Sequence, residues 1–360
     1  MAKVGEAKKT SQAGGVKKIL LRLGFVLLET LSIVIVALYG VMFVLAKGPS
    51  PTARNLFVLS VRETSAVGFL ANIFFSEEEI AQMGASLAEE EYRETDTSLI
   101  TISMSDKPED GEEPQADAWG LIDADGDGII LDTVKGESYQ GYMMVILDPS
   151  RVTMGSKVED FGVRGYTVAE MVAEFDAVAG INAGGFYDPG GNGNGSIPDT
   201  MVVKDGTVYY PELGTRNGFV GFDKDHILHV GNLSQKEILA REIRDGVCFG
   251  PILIVNGEPC SELSLSSGIN PRTGIGQRSD GAVLFLVIEG RMVTSLGATY
   301  YDMVEIFQSY GAVNACNLDG GSSSMLWYDG DYVNKCASVV GIRPVPTTFL
   351  VLKEGVDSDG

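Results

Sequence analysis

The sequence predicts an α+β fold, a mixed β-sheet domain with few helices and a candidate internal strand–helix–strand pseudo-repeat, preceded by one transmembrane helix. Three observations carry that expectation. Short apolar runs are joined by Asp-Gly, Asn-Gly and Glu-Gly pairs, the usual signal of tight hairpins. Only three later segments combine a capping box with an apolar face of helical period. One long apolar run lies near the N-terminus, over residues 19–46, interrupted by charge only at Arg22 and Glu29.

Strands are expected over 120–123, 129–133, 142–147, 201–204, 208–210, 252–255, 283–289 and 312–318. The clearest hairpin is 325–328 and 331–334 around Asp329-Gly330. Helices are expected over 167–176, opened by Thr167 and Glu170, over 234–244, opened by Ser234 and Glu237, and over 299–310, opened by Thr299 and Asp302. Ser76 and Glu79 mark a further helix start before the domain. Thr167, Glu170, Met171, Val172 and Phe175 match Thr299, Asp302, Met303, Val304 and Phe307 in type and spacing. Each set is followed by an apolar strand ending in a double glycine, Gly184-Gly185 or Gly320-Gly321. The pattern suggests two related units whose glycine loops face one cleft.

The organisation expected is a basic cytoplasmic tail (1–18), a transmembrane signal anchor (19–46), a juxtamembrane segment and helix (47–92), an acidic flexible spacer (93–118) and a folded domain (119–354). A 28-residue apolar run is long enough to cross about 30 Å of hydrocarbon at about 1.5 Å per residue. Lys3, Lys8, Lys9, Lys17 and Lys18 precede it, which holds that end in the cytoplasm and exports the rest. The expected location is therefore the cell membrane, single-pass, with the domain extracytoplasmic. A cleaved signal ending at Ala46 is the competing reading; the apolar core exceeds the usual length of such a signal.

The formal net charge is −22, and residues 1–22 hold six basic residues and one acidic one, so the remainder is near −27. Such a surface argues against nucleic acid as a partner, since phosphate-backbone binding uses clustered Lys and Arg. Only two histidines, His226 and His229, are present, which disfavours a His-rich dinuclear metal site. Cys248, Cys260, Cys316 and Cys336 leave disulfide pairing open; Cys248 with Cys260 would close a short loop.

Three motifs could carry chemistry. Asn317-Leu318-Asp319-Gly320-Gly321-Ser322-Ser323-Ser324 releases a polar glycine loop from the end of an apolar strand, with hydroxyl donors and a carboxylate suited to a phosphate or sugar. Asn270-Pro271-Arg272-Thr273-Gly274 places a guanidinium after a rigid proline, where it could grip a phosphate by two parallel hydrogen bonds. Asn182-Ala183-Gly184-Gly185-Phe186-Tyr187-Asp188 opens a glycine- and asparagine-rich stretch suited to a substrate rim. Asp123, Asp125 and Asp127 resemble the first half of a calcium loop, but position twelve is Val134 rather than a bidentate Glu, so they are a weak Ca²⁺ candidate.

In this order, together with Phe249-Gly250-Pro251-Ile252-Leu253, Asn256-Gly257 and Arg343, these motifs resemble the phosphodiester glycosidase family over roughly residues 143–352. The resemblance implies a hydrolase that splits the sugar–phosphate glycosidic bond of a sugar-1-phosphodiester, with no cofactor required. It implies Asp319 as base or nucleophile, Arg272 stabilising the phosphate leaving group and Asp188 as a reserve carboxylate. Asn182, Gly184, Gly185, Thr273, Asn317, Gly320, Gly321, Ser322 and Arg343 are the expected substrate contacts. The expected substrate is a phosphorylated glycan of the envelope or extracellular matrix. A non-catalytic glycan- or phosphate-binding module in exopolysaccharide or cell-wall assembly is the alternative.

Overall fold

The computed structural model describes residues 3–62, 68–84, 93–102, 115–191, 193–210, 217–260, 267–338 and 341–355. Two compact units divide the chain between Phe57 and Val58. In the first, helix α1 (Lys3–Lys47) contains the segment Leu20–Lys47, with a mean hydropathy of 2.3. It is long and apolar enough to cross a membrane, and its large side chains from Leu20 to Val44 are largely exposed. Helix α2 (Pro51–Arg62) follows, with proline at its first position, where a missing N–H costs nothing.

The second unit holds three sheets, in which every strand pairing among the described residues is antiparallel. The first sheet runs β1 (Ile129–Lys135), β2 (Gln140–Ile146), β13 (Val283–Ile288), β12 (Arg272–Arg278), β14 (Ala312–Leu318), β10 (Ile252–Val255), β11 (Glu258–Pro259). The second runs β16 (Asp331–Tyr332), β15 (Leu326–Tyr328), β4 (Ala177–Asn182), β17 (Thr348–Leu352), β3 (Val152–Gly155). The third runs β6 (Thr207–Tyr209), β5 (Val202–Lys204), β9 (Ile243–Cys248), β7 (Asn217–Asp223), β8 (Leu228–Leu233).

Alternation along the strands sorts apolar side chains into layers. Met144, Ile146, Met154, Ile181, Phe222, Phe285 and Phe349 meet in one core shared by the three sheets. Their neighbours face the other way, and each sheet is backed there by one helix. Helix α6 (Tyr300–Ser309) packs Met303 and Phe307 on Met143, Val145, Leu284 and Leu286. Helix α4 (Val168–Glu174) packs Met171 and Val172 beside Leu350. Helix α5 (Gln235–Ala240) sets Ile238 among Met201, Val203 and Phe219. All three helices open with complete capping boxes, Thr167–Glu170, Ser234–Glu237 and Thr299–Asp302. Helix α3 (Glu77–Gly84) is entered through the expected Ser76–Glu79 exchange.

Several boundaries differ from expectation for identifiable reasons. The helix expected over 234–244 ends at Ala240, because Ile243 starts strand β9 and pairs with β7. No strand forms over 120–123; the Asp117 carboxylate accepts the backbone N–H groups of Trp119 and Leu121 and turns the chain. The spacer expected over 93–118 is anchored to the domain at both described ends. Thr95 exchanges hydrogen bonds with the backbone of Val230, and Asp96 N–H donates to Asn256. Asp117 pairs with Arg278, which stacks on Trp119. Residues 103–114 of that spacer, and 63–67 and 85–92 of the juxtamembrane segment, lie outside the described residues. Among the described residues, none of the four cysteines is joined in a disulfide.

Candidate active site

The two glycine loops meet. Strand β4 ends at Asn182 and strand β14 at Leu318, and the chain beyond each crosses the other: Asp319 N–H donates to Ala183 O at 2.9 Å. Asn182 locks the crossing. Its Nδ2 donates to Asp319 O at 2.6 Å, while its Oδ1 accepts from Thr273 Oγ1 at 2.9 Å and from Met325 N at 3.1 Å. The side chain is fully buried, so this amide fixes the loop rather than facing a ligand. Thr273 is likewise fully buried beneath it.

Asp319 keeps a partly exposed edge but lies deep among protein atoms. Desolvation pushes its carboxyl up to about 7; Asp199 and Asp188 act in the same direction, while the Ser323 hydroxyl and Arg343 oppose them. Arg343 holds Asp188 by a two-pronged pair, with Nη1 and Nη2 each 2.7 Å from a carboxylate oxygen. Its guanidinium also donates to Gly193 O at 3.2 Å and Ser322 Oγ at 3.4 Å, and lies 4.9 Å from the Phe186 ring centroid. The hydrogen bonds to Asp188 hold Arg343 even more firmly protonated than usual.

Part of the N–H capacity of the glycine loops is spent inside the protein. Gly184 N–H is taken by Thr347 Oγ1, Gly321 N–H by Pro271 O and Ser323 N–H by Gly320 O. A methyl group on Gly185 would stand 2.6 Å from Asp199 Oδ2, and Gly321 sits at φ +63°, where glycine is favoured. Of the four glycines, Gly184 and Gly321 thus spend their amides inside the protein, and the charged groups gathered around Asp319 are side chains.

The predicted site residues therefore separate. Asn182, Asp188, Gly184, Gly185, Asp319, Gly320, Gly321, Ser322 and Arg343 come together. Asn317 is buried one residue before the loop, with Nδ2 donating to Gly250 O at 2.8 Å. Arg272 is built into the scaffold: Nε donates to Ala298 O at 3.0 Å, Nη2 to Gly268 O at 2.6 Å, and the guanidinium lies 4.2 Å from the Tyr300 ring centroid. Its side chain is buried, so the expected grip on a phosphate gives way to a structural role. Asp199, Ser323 and Arg291 join the site without having been singled out. Arg291 has φ +58°, donates to Asn270 Oδ1 at 3.2 Å, and would stand 3.2 Å from a methyl placed on Gly321.

Asp123, Asp125 and Asp127 bring one carboxylate oxygen each within 4.8 Å of the others. The Asp123 oxygens accept from Gly126 N and Gly128 N, and those of Asp127 from Ile129 N and Tyr328 OH. A calcium ion would share oxygens that already hold the loop.

The phosphodiester glycosidase family model matches residues 175–352. That segment is similar to phosphodiester glycosidase domains. It includes both glycine loops, Asp188, Asp319 and Arg343. The chain is 31% identical over 203 residues to the SPbeta prophage-derived uncharacterized protein YomE of Bacillus subtilis (strain 168), a match covering 54% of this chain and 30% of that protein. It is 26% identical over 223 residues to N-acetylglucosamine-1-phosphodiester alpha-N-acetylglucosaminidase of Mus musculus, covering 54% and 41%. The chain thus spans less than half the length of either relative. In three dimensions it is similar to the catalytic domain of the zebrafish N-acetylglucosamine-1-phosphodiester alpha-N-acetylglucosaminidase, solved auto-inhibited by its pro-peptide. That match has a TM-score of 0.54 and 17% identity, covering 70% of this chain and 87% of that one. The likeness supports the fold.

Proposed function

We propose that this protein hydrolyses the sugar–phosphate glycosidic bond of a sugar-1-phosphodiester, with an N-acetylglucosamine 1-phosphodiester as the first substrate to test. The observation that carries this reading is Asp319, a carboxyl poised near neutrality at the crossing of two glycine loops and beside the Arg343–Asp188 pair. A base with a pKa near the working pH is the efficient choice for activating water. Asp319 would take a proton from the water that attacks the anomeric carbon. The bond from that carbon to the phosphate oxygen breaks, and the phosphomonoester leaves with the electron pair. A phosphate is a weakly basic leaving group, so charge stabilisation by Arg343 and the Ser322 hydroxyl replaces much of the work of an acid. On this reading the substrate belongs to envelope or extracellular glycans, and α1 serves as a membrane anchor whose basic N-terminal side stays in the cytoplasm.

The test is incubation of the full chain with chromogenic aryl phosphodiesters of both anomers of N-acetylglucosamine 1-phosphate, with Asp319→Asn as control. Release of free sugar that depends on Asp319 is expected. Turnover by neither anomer, or equal turnover by the variant, overturns the reading. The pairing of Arg343 with Asp188 favours one other reading, a glycan- or phosphate-binding module without turnover. Saturable calorimetric binding of the same compounds without sugar release would select it.

A further inference from the structure

The end of helix α2 is seated on the loop that supports the site. Within the second unit, Val58 and Leu59 are buried, and Ser60 Oγ accepts the backbone N–H of Ile269 at 2.8 Å. The contact is close: a methyl group on Gly268 would stand 2.2 Å from Ser60 N. Gly268 O is the acceptor for Arg272 Nη2, and Ser267 Oγ accepts Tyr300 N–H at 2.8 Å, beneath the same guanidinium. The next residues reach the site directly. Asn270 exchanges backbone hydrogen bonds with Ala298, and its Oδ1 accepts from Arg291. Pro271 O accepts the N–H of Gly321, and a methyl on Gly320 would lie 2.9 Å from the same oxygen. Ser60 is thus joined to the Gly320–Gly321 loop by a run of short contacts through 268–272, each made by a buried or backbone group.

We infer that residues 58–62 are a positioning strap for the active site: Ser60, acting through Gly268 and Ile269, sets where Arg272 and Pro271 hold the loop that carries Asp319. Ser60 is a positioning residue; it touches neither the carboxylate nor the place where substrate would sit. The segment that continues from the apolar helix into the domain is then part of what orders the site, not only a tether. In its activity readout the inference rests on the hydrolase reading above; its structural readout does not.

The experiment is hydrogen–deuterium exchange on the full-length chain in detergent micelles, comparing the unmodified protein with Ser60→Ala, Ser60→Thr and Gly268→Ala. Ser60→Ala removes the acceptor for Ile269 N–H. Gly268→Ala forces the strap away by overlap with the Ser60 backbone. Ser60→Thr keeps the oxygen. Exchange in 268–271 and 320–323 is expected to quicken at least about tenfold in Ser60→Ala, since local opening tracks the free energy holding a segment. It should quicken further in Gly268→Ala, return toward the unmodified rate in Ser60→Thr, and leave β13 and β17 unchanged. If the sugar-1-phosphodiester is turned over, kcat should fall several-fold in Ser60→Ala with KM little altered, and Thr should rescue it. Faster exchange in 58–62 with unchanged exchange in 320–323 overturns the inference. Should Gly268→Ala fail to fold, Ser60→Ala and Ser60→Thr decide alone. Absence of turnover in the unmodified chain bears on the hydrolase reading only.

Discussion

The two strand–helix–strand units share one local design and diverge after their glycines. In each, a complete capping box starts the helix, which lies on a strand ending at the site, α4 on β4 and α6 beside β14. Glycine lets each helix lie close: a methyl on Gly180 in β4 would be 3.3 Å from Val172 Cγ2, and one on Gly274, in β12 beside β14, would be 2.7 Å from Met303 Cε. Beyond the strands the units part. The first continues into an open rim, where Tyr187 is exposed and Asp188 is neutralised by Arg343. The second closes at once into a tight turn, Gly321–Ser323, and leaves Asp319 deep among protein atoms with a raised pKa. Helix and strand are set by periodicity and caps; the chemistry is set by how quickly the following loop turns.

The sharpest way to break this comparison is to exchange the charges. Asp319→Asn is expected to lower kcat/KM for the aryl phosphodiester by about 10³, the middle of the range for a general base. Asp188→Asn should lower it less, because that carboxylate is already paired. Equal losses would erase the distinction between the units. The rate should also rise with pH through about 7 as the Asp319 carboxylate forms.

The same group has a stability signature. Its folded pKa lies above that of a free carboxyl, so the native state binds the extra proton between about pH 4 and 7, and stability falls as pH rises through that window. Above about 7 the loss is complete and the curve flattens. Asp319→Asn should remove this slope, as urea midpoints measured across pH would show.

Next come the two arginines. Arg343→Ala should cost about 10² in rate, the loss typical of one charge-stabilising contact, and should also lower the melting temperature, because the Asp188 carboxylate loses its partner. Arg272→Ala should instead orphan two buried carbonyls and cost about 2–3 kcal/mol in stability, read as a lower melting temperature. The reverse pattern would move the phosphate grip back to Arg272.

The smallest effects separate the glycines. Gly185→Ala, with its methyl 2.6 Å from Asp199 Oδ2 and 2.8 Å from the Phe249 ring, should destabilise by about 1–3 kcal/mol through overlap. Gly321→Ala should cost about 1 kcal/mol through its positive φ. Denaturant titration of both variants gives the order.

How far the sequence reveals this molecule depends on whether the signal is local. The three capping boxes and strands β10 and β14 are legible because each is encoded by contiguous residues. Asp319 and Arg343 were legible as parts of an ordered motif set. Arg272 was misleading for a physical reason: the motif shows a charge after proline, but not that Ala298 O, Gly268 O and the Tyr300 ring are waiting for it. Asp199 carries no sequence mark at all. It enters the site because its N–H pairs with Gly185 O, which only the closed loop brings near.

Asn182 has one more consequence, for the order in which the molecule forms. Its amide binds partners 91, 137 and 143 residues further along the chain, at Thr273, Asp319 and Met325. Such distant contacts close late, because the entropy of the intervening loop must be lost before they return anything. Hairpins such as β15–β16 and β12–β13 can nucleate locally, while this amide must await the final third of the polypeptide. A nascent or partly refolded chain would therefore hold most of its sheet structure before it holds the crossing of the two glycine loops.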